Sequence, residues 1–157
     1  MIVLGVDPGS IRTGWGVVRR EGTRLRALDA GVVRAKEGAP LHERLVVIHR
    51  GLCEVIEQFG PEAMAVEDVF SKHPASALKL GQARGVVLLA GASADLSIHS
   101  YPPALVKRSI AGKGAAPKEQ LGRIVGAILG LTKLPPQDAT DALAIAITHA
   151  NAARMRG

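Results

Sequence analysis

The opening stretch MIVLGVDPGS constrains the fold more than any other part of the chain, because an apolar run stops there at a single acid. Residues 2–6 are apolar and rich in β-branched side chains, which predicts a short strand buried on both faces. This strand ends at Asp7, and Pro8 and Gly9 then predict a tight turn. Asp7 is therefore either a functional acid at the rim of a rigid core or a turn residue that bonds its own backbone.

The following segments predict an antiparallel start to a sheet. Residues 15–18 continue as a second strand that pairs back on the first, and residues 25–33 form a third strand after a hairpin turn at residues 21–22. From residue 41 to residue 59 the apolar spacing becomes that of an amphipathic helix, which we expect to pack on the sheet.

A second strand runs into an acid farther along the chain. Residues 63–66 are short and apolar and lead directly into Glu67, as the first strand leads into Asp7. Asp68 follows at once, but alternation along a strand sends it to the opposite face, so only one of the two acids can join Asp7.

The remaining elements are a long helix, a fifth strand at residues 97–101 and three further helices. The long helix spans about residues 75–94 and carries Gly81 and Gly85 four residues apart. Glycines at this spacing permit the close approach of another backbone. We predict packing within the chain, with a partner subunit as the alternative.

Together these elements predict an α/β fold in which helices flank a five-stranded mixed sheet whose first three strands are antiparallel. The length of 157 residues predicts one domain over residues 1–157. If the first and fourth strands are neighbours, Asp7 and Glu67 lie at the same edge of the sheet.

The last helix contributes two more acids. It begins QDATDALAIAITHA, and Asp138 and Asp141 project from one face of its first turn. Acids are ordinary at a helix N-terminus, where the helix dipole favours them. Residues 143–147, however, make this helix almost wholly apolar, so we expect it to be buried against the sheet with both acids near the strand ends.

Four carboxylates at one rim would repel one another, because they cannot all remain ionised without cations. An oxygen-only ligand set suits Mg²⁺ or Mn²⁺. Two such ions, roughly 3.5 to 4 Å apart, would activate a water and stabilise the leaving oxygen during attack on a phosphodiester.

The charge of the chain favours an anionic partner such as nucleic acid. Lys and Arg number 20 against 14 Asp and Glu, which gives a net charge of +6. Cys53 is the single cysteine, so an internal disulfide and a cysteine-rich zinc site are excluded. We expect a cytoplasmic protein without membrane association.

Four segments resemble the RuvC family of bacterial Holliday junction resolvases, in order and spacing along nearly the whole chain. They are VDPGSIRTGWGVV, VEDVF followed by SALKLGQARG, YPPALVKRSIAGKG, and QDATDALAIAITHA. The resemblance implies an RNase H-like fold and a Mg²⁺-dependent endonuclease. It also implies a two-fold dimer that nicks two like strands of a four-way DNA junction in recombination and repair, in partnership with RuvA and RuvB.

The resemblance also implies roles for individual residues. The four catalytic acids of the family match Asp7, Glu67, Asp138 and Asp141, which would also hold the metal. Lys107 and Lys118 match basic family residues near the active site, where we assign them to the scissile phosphate.

Other DNA contacts are expected around this site. Phe70 matches a family aromatic that could stack on an unpaired base, and it could otherwise be a core residue. Its loop is one residue shorter than the family pattern. Candidates for contacts to the DNA backbone are Lys79, Arg84 and Arg108.

Two other classes of function compete with this interpretation. The actin and sugar-kinase ATPase superfamily also has a strand that ends in Asp-x-Gly, but it needs two lobes around a nucleotide, which 157 residues cannot supply. A non-catalytic DNA-binding module leaves the four acids unexplained, because without a metal they would repel DNA.

Overall fold

The computed structural model describes residues 1–68, 71–112 and 117–156. Its sheet has five strands in the order β3–β2–β1–β4–β5. The strands are β1 (Ile2–Asp7), β2 (Arg12–Glu21), β3 (Arg24–Arg34), β4 (Ala63–Glu67) and β5 (Ser97–Tyr101).

The strand directions confirm the predicted mixed sheet. β1 and β2 pair antiparallel, as do β2 and β3, whereas β1 with β4 and β4 with β5 are parallel. The first and fourth strands are therefore neighbours, and Asp7 and Glu67 end adjacent parallel strands. β2 begins earlier than predicted, at Arg12, because Arg12 already pairs with Arg34 of β3.

Helices cover both faces of the sheet in two separate apolar layers. The first two helices of the chain pack on one face of the sheet with Leu4, Val6 and Val17. The other three helices pack on the opposite face with Val3 and Val18. None of the described helices is both long enough and apolar enough to cross a membrane. The helices are α1 (Leu41–Phe59), α2 (Pro74–Ser93), α3 (Pro103–Ala111), α4 (Lys118–Leu129) and α5 (Gln137–Arg154).

Helix α5 is the central helix of the second layer and touches the sheet with its backbone. Its residues from Ala142 to Ala150 are all buried, as the apolar sequence predicted. Glycines on the strands below allow this approach: a Cβ added at Gly5 would lie 2.0 Å from the Ala142 carbonyl oxygen, and one at Gly14 would lie 2.0 Å from that of Asp138. Close backbone contact therefore fixes the first turn of α5 above the end of β1.

The predicted intrachain packing of Gly81 and Gly85 is wrong. A Cβ added at either residue would meet no atom of the described chain within 4 Å. The buried face of α2 is instead formed by side chains such as Ala83 and Val87, which directs both glycines outward.

Candidate active site

The turn after β1 is held by a threonine. The Thr13 hydroxyl donates to the Gly9 carbonyl oxygen at 2.8 Å, and the Gly9 N–H donates to Thr13 Oγ1 at 3.3 Å. Among the described residues, no hydrogen bond joins the Asp7 carboxyl to the turn. The alternative of a purely local role for Asp7 therefore has no contact to support it.

A buried arginine supports the same turn from α1. Arg44 donates from Nε to the Ala39 carbonyl oxygen at 3.1 Å and from Nη1 to the carbonyl oxygen and hydroxyl of Ser10, both at 3.2 Å. Sequence reasoning missed this residue, because the pattern of an amphipathic helix does not distinguish a buried arginine from a solvent-exposed one.

Three acids meet where α5 crosses the end of β1. One carboxylate oxygen each from Asp7, Asp138 and Asp141 lies within 4.8 Å of the other two. Gln137 Nε2 donates to Asp141 Oδ1 at 2.8 Å, and Arg12 Nε lies 3.6 Å from Asp138 Oδ2. The Gln137 contact follows ordinary helical i, i+4 spacing and could have been predicted, whereas Arg12 comes from a distant strand.

Glu67 lies next to this group of three and interacts most closely with Asp7. Asp68 is directed away from it, as strand alternation predicts, and its Oδ1 accepts a hydrogen bond from Arg84 Nη2 at 3.1 Å. Arg84 Nη2 also donates to Ser100 Oγ at 2.7 Å. Its guanidinium is therefore already engaged within the chain, which the sequence did not indicate.

The acids perturb one another strongly. Burial, followed by repulsion from Glu67 and Asp141, raises the pKa of Asp7 to about 8. Burial also raises the pKa of Glu67 and of Asp141. For Asp141, the hydrogen bond from Gln137 and the charge of Lys118 oppose this rise.

Carboxyl groups that retain protons near neutral pH lower their energy when a divalent cation replaces those protons. The donors around Asp7 are all oxygen atoms, which is the ligand chemistry that Mg²⁺ and Mn²⁺ prefer. The residues present therefore fit a divalent metal ion of this class.

The acids lie in a cleft of about 320 Å³ that also contains cationic side chains. Lys107 of α3 is half-buried and Lys118 of α4 is exposed, and both line the cleft. Their charges favour the ionised forms of Glu67 and Asp141. The cleft can therefore hold a phosphate group beside a cluster of metal-ligating oxygens.

Three other predicted DNA contacts do not line this cleft. Lys79 of α2 and Arg108 of α3 are exposed, and Arg84 is bound to Asp68. Phe70 lies outside the described residues.

Comparisons with known proteins agree along nearly the whole chain. The family model for crossover junction endodeoxyribonuclease RuvC matches residues 3–149. RuvC of Azorhizobium caulinodans is 48% identical over 150 residues, which cover 95% of this chain and 89% of that protein. RuvC of Geobacter sp. strain M21 is 45% identical over 156 residues, which cover 99% and 95%.

Solved structures show the same architecture. Thermus thermophilus RuvC in complex with a Holliday junction substrate superimposes with a TM-score of 0.93 at 43% identity, covering 99% of this chain and 96% of that chain. The yeast mitochondrial Holliday junction resolvase Ydc2 has a TM-score of 0.66 at 12% identity, covering 93% and 77%, and shares the fold alone. These matches confirm the predicted α/β, RNase H-like fold class and the resemblance drawn from the four sequence segments.

Proposed function

The chain belongs to the RuvC family of crossover junction endodeoxyribonucleases, and we propose that it resolves four-way (Holliday) DNA junctions by metal-dependent phosphodiester hydrolysis in recombination and repair. Residues 1–157 act as one RNase H-like nuclease domain. The observation that carries this proposal is the group of three carboxylates within 4.8 Å, with Glu67 beside it, in a cleft lined by two lysines.

Asp7, Glu67, Asp138 and Asp141 are the catalytic residues in this proposal, and they would hold two Mg²⁺ ions, for which Mn²⁺ would substitute. When bound, such ions activate a water and stabilise the leaving oxygen of the phosphodiester. The chain itself supplies rigid placement: Asp7 ends a buried strand and Asp141 is held by Gln137.

The cationic side chains of the cleft would position the DNA. Lys107 and Lys118 flank the acids, so we assign them to the scissile phosphate and its developing charge. The half-buried Lys107 has less freedom than the exposed Lys118, so we expect it to contribute more to orientation. The remaining proposed DNA contacts are Phe70, Lys79, Arg84 and Arg108.

Symmetric cutting requires two copies of the acid centre, so the active form in this proposal is a homodimer. A stripe on α2 supports this arrangement. Leu78 and Leu89 are 65% and 56% exposed, and between them lie Gly81 and Gly85, where an added Cβ would meet no described atom within 4 Å. Their spacing places all four on one helical face. Two such faces related by a two-fold axis would pack closely at the glycines and bury the leucines.

A charge on this stripe should separate the subunits. We expect Leu89→Asp to run as a monomer in sedimentation velocity and to lose paired nicking of a junction, because the carboxylate would be buried against its own symmetry mate. Met155→Asp is the matched control, since Met155 is 89% exposed and directly follows the last residue of α5. A Leu89→Asp protein that stays dimeric would contradict this interface.

Family membership supports two further parts of the proposal. We expect the protein to work with the branch-migration proteins RuvA and RuvB, which can be tested by co-purification on junction DNA. We also expect it to act in the cytoplasm, where its single thiol, Cys53, would remain reduced.

The test of the function is cleavage of an end-labelled synthetic four-way junction beside a linear duplex of the same sequence, in Mg²⁺ or in EDTA. Wild type should place paired symmetric nicks in the junction alone and only with metal. Asp7→Asn should bind the junction without cutting it, because one acid that faces the phosphate is gone. Asp95 is an exposed acid whose φ of 60° is tolerated by asparagine, so the control variant Asp95→Asn should cut normally. Binding by wild type without any cut in Mg²⁺ or Mn²⁺ would instead identify a DNA-binding module.

A further inference from the structure

Arg12 lies beside the acid centre and has no role in the proposed mechanism. It begins β2 two residues before Gly14, so the two residues lie on the same face of the strand. That face is directed at α5, because a Cβ at Gly14 would collide with the Asp138 carbonyl oxygen. Arg12 accordingly reaches the first turn of α5, where its Nε lies 3.6 Å from Asp138 Oδ2.

This ion pair is easily exchanged for another. The two side chains are 61% and 36% exposed, and exposed pairs of this kind contribute little to stability. Asp138 also belongs to the group of acids that fits a divalent cation, so two cations compete for one carboxylate. Once Asp138 ligates such a cation, the guanidinium of Arg12 is available to another anion.

A second arginine lies opposite Arg12 on the neighbouring strand β3. Arg34 pairs with Arg12 in the register of β2 and β3, and both side chains are exposed. Opposed residues have Cβ atoms about 5 Å apart, and like charges there are destabilising. Within residues 1–68, 71–112 and 117–156, no carboxylate lies within 4 Å of Arg34. An anion bound between the two arginines would remove this repulsion.

We propose that Arg12 and Arg34 form a phosphate-binding pair that holds the DNA backbone next to the scissile phosphate. Arg12 exchanges Asp138 for this phosphate when Asp138 ligates a divalent cation. Guanidinium groups suit the site because they bind phosphate oxygens in a bidentate manner. Lys107 and Lys118 line the cleft from α3 and α4, so a strand that crosses the acids is held from two sides. This inference rests on the proposed function, since it takes junction DNA as the ligand.

The first test measures DNA affinity with a fluorescent four-way junction in Ca²⁺, across 50–200 mM salt. Arg12→Gln and Arg34→Gln should each weaken binding about tenfold. Each should also lower the steepness of log affinity against log salt concentration by about one, as expected for the loss of one phosphate contact. Arg26→Gln is the matched control, because Arg26 faces Arg19 across the same two strands at their other end. It should bind within twofold of wild type.

The second test needs no DNA and follows the rise of the melting temperature with Mg²⁺. Arg12→Gln should lower the half-saturating Mg²⁺ concentration about two- to fivefold, because Asp138 loses its competing cation, and Arg34→Gln should leave it unchanged. The inference is overturned if either variant binds the junction as wild type does, if Arg26→Gln loses as much affinity, or if the Mg²⁺ midpoint of Arg12→Gln does not move. A wild type that neither binds nor cuts the junction would overturn the proposed function itself.

Discussion

A single methyl group at Gly14 should displace the N-terminal end of α5. Gly14 pairs with Asp7 in the sheet, and a Cβ added there would lie 2.0 Å from the carbonyl oxygen and 2.4 Å from the carbonyl carbon of Asp138. Real Cβ contacts are essentially never closer than 3.0 Å, so β2 at Gly14 and the backbone at Asp138 must separate by about 1 Å.

The size of the effect follows from that displacement. A misplacement of about 1 Å in a catalytic constellation costs about 100-fold in rate. Overpacking a rigid backbone contact costs about 3 kcal/mol in the free energy of unfolding, which lowers the melting temperature of a chain of this size by about 6–12 °C. We therefore expect Gly14→Ala to remain folded at 25 °C, to bind the junction, and to cut it at least 100-fold more slowly.

The assay is single-turnover cleavage of a labelled junction, paired with thermal unfolding of the same preparation. Gly126→Ala is the control, because among the described residues its added Cβ would meet only the end of the flexible, exposed Leu134 side chain, at 3.0 Å. That variant should gain up to about 1 kcal/mol from helix propensity and cut normally. A Gly14→Ala protein with the wild-type rate and melting temperature would refute the argument that backbone contact positions Asp138.

Two predictions concern pH. In EDTA, the free energy of unfolding should fall as pH rises from 4 to 8, because the pKa of Asp7 is about 8 in the folded state and near 3.8 when unfolded. Mg²⁺ or Asp7→Asn should flatten this profile in denaturant titrations, and a flat profile in EDTA would contradict it. His149 opposes this trend, because burial and then the charges of His99 and Arg156 lower its pKa to about 4. Its own contribution to the free energy of unfolding should decrease by about 2–3 kcal/mol from pH 7 to pH 4, a loss seen once Mg²⁺ or Asp7→Asn has removed the Asp7 effect. His149→Asn should lose this dependence, and an unchanged loss in that variant would assign it to other groups.

The elements and the four acids of the centre follow from local sequence patterns. The runs that end at Asp7 and Glu67 are short and β-branched, so strand identity and the acid at the end of each strand can be read directly. The burial of α5 follows from its apolar composition, which is why Asp138 and Asp141 could be assigned to the strand ends.

Contacts between distant segments could not be predicted in this way. The outward direction of Gly81 depends on which face of α2 meets the sheet, and its small size alone carries no such information. Likewise, the Arg84–Asp68 and Arg12–Asp138 pairs join residues from different elements, so no spacing rule marks them. The close approach of Gly14 to the Asp138 backbone depends on the position of β2 under α5, which no local pattern predicts.

The position of α5 also determines when the chain can first become a nuclease. β1 and β4 leave the ribosome well before α5, so a nascent chain displays Asp7 and Glu67 without Asp138 and Asp141. The cluster requires docking of the last-made helix on the first-made strand, which is among the longest-range contacts in the protein. Unfinished chains therefore lack Asp138 and Asp141, and under the proposed function they could not cut DNA until α5 has been made and docked.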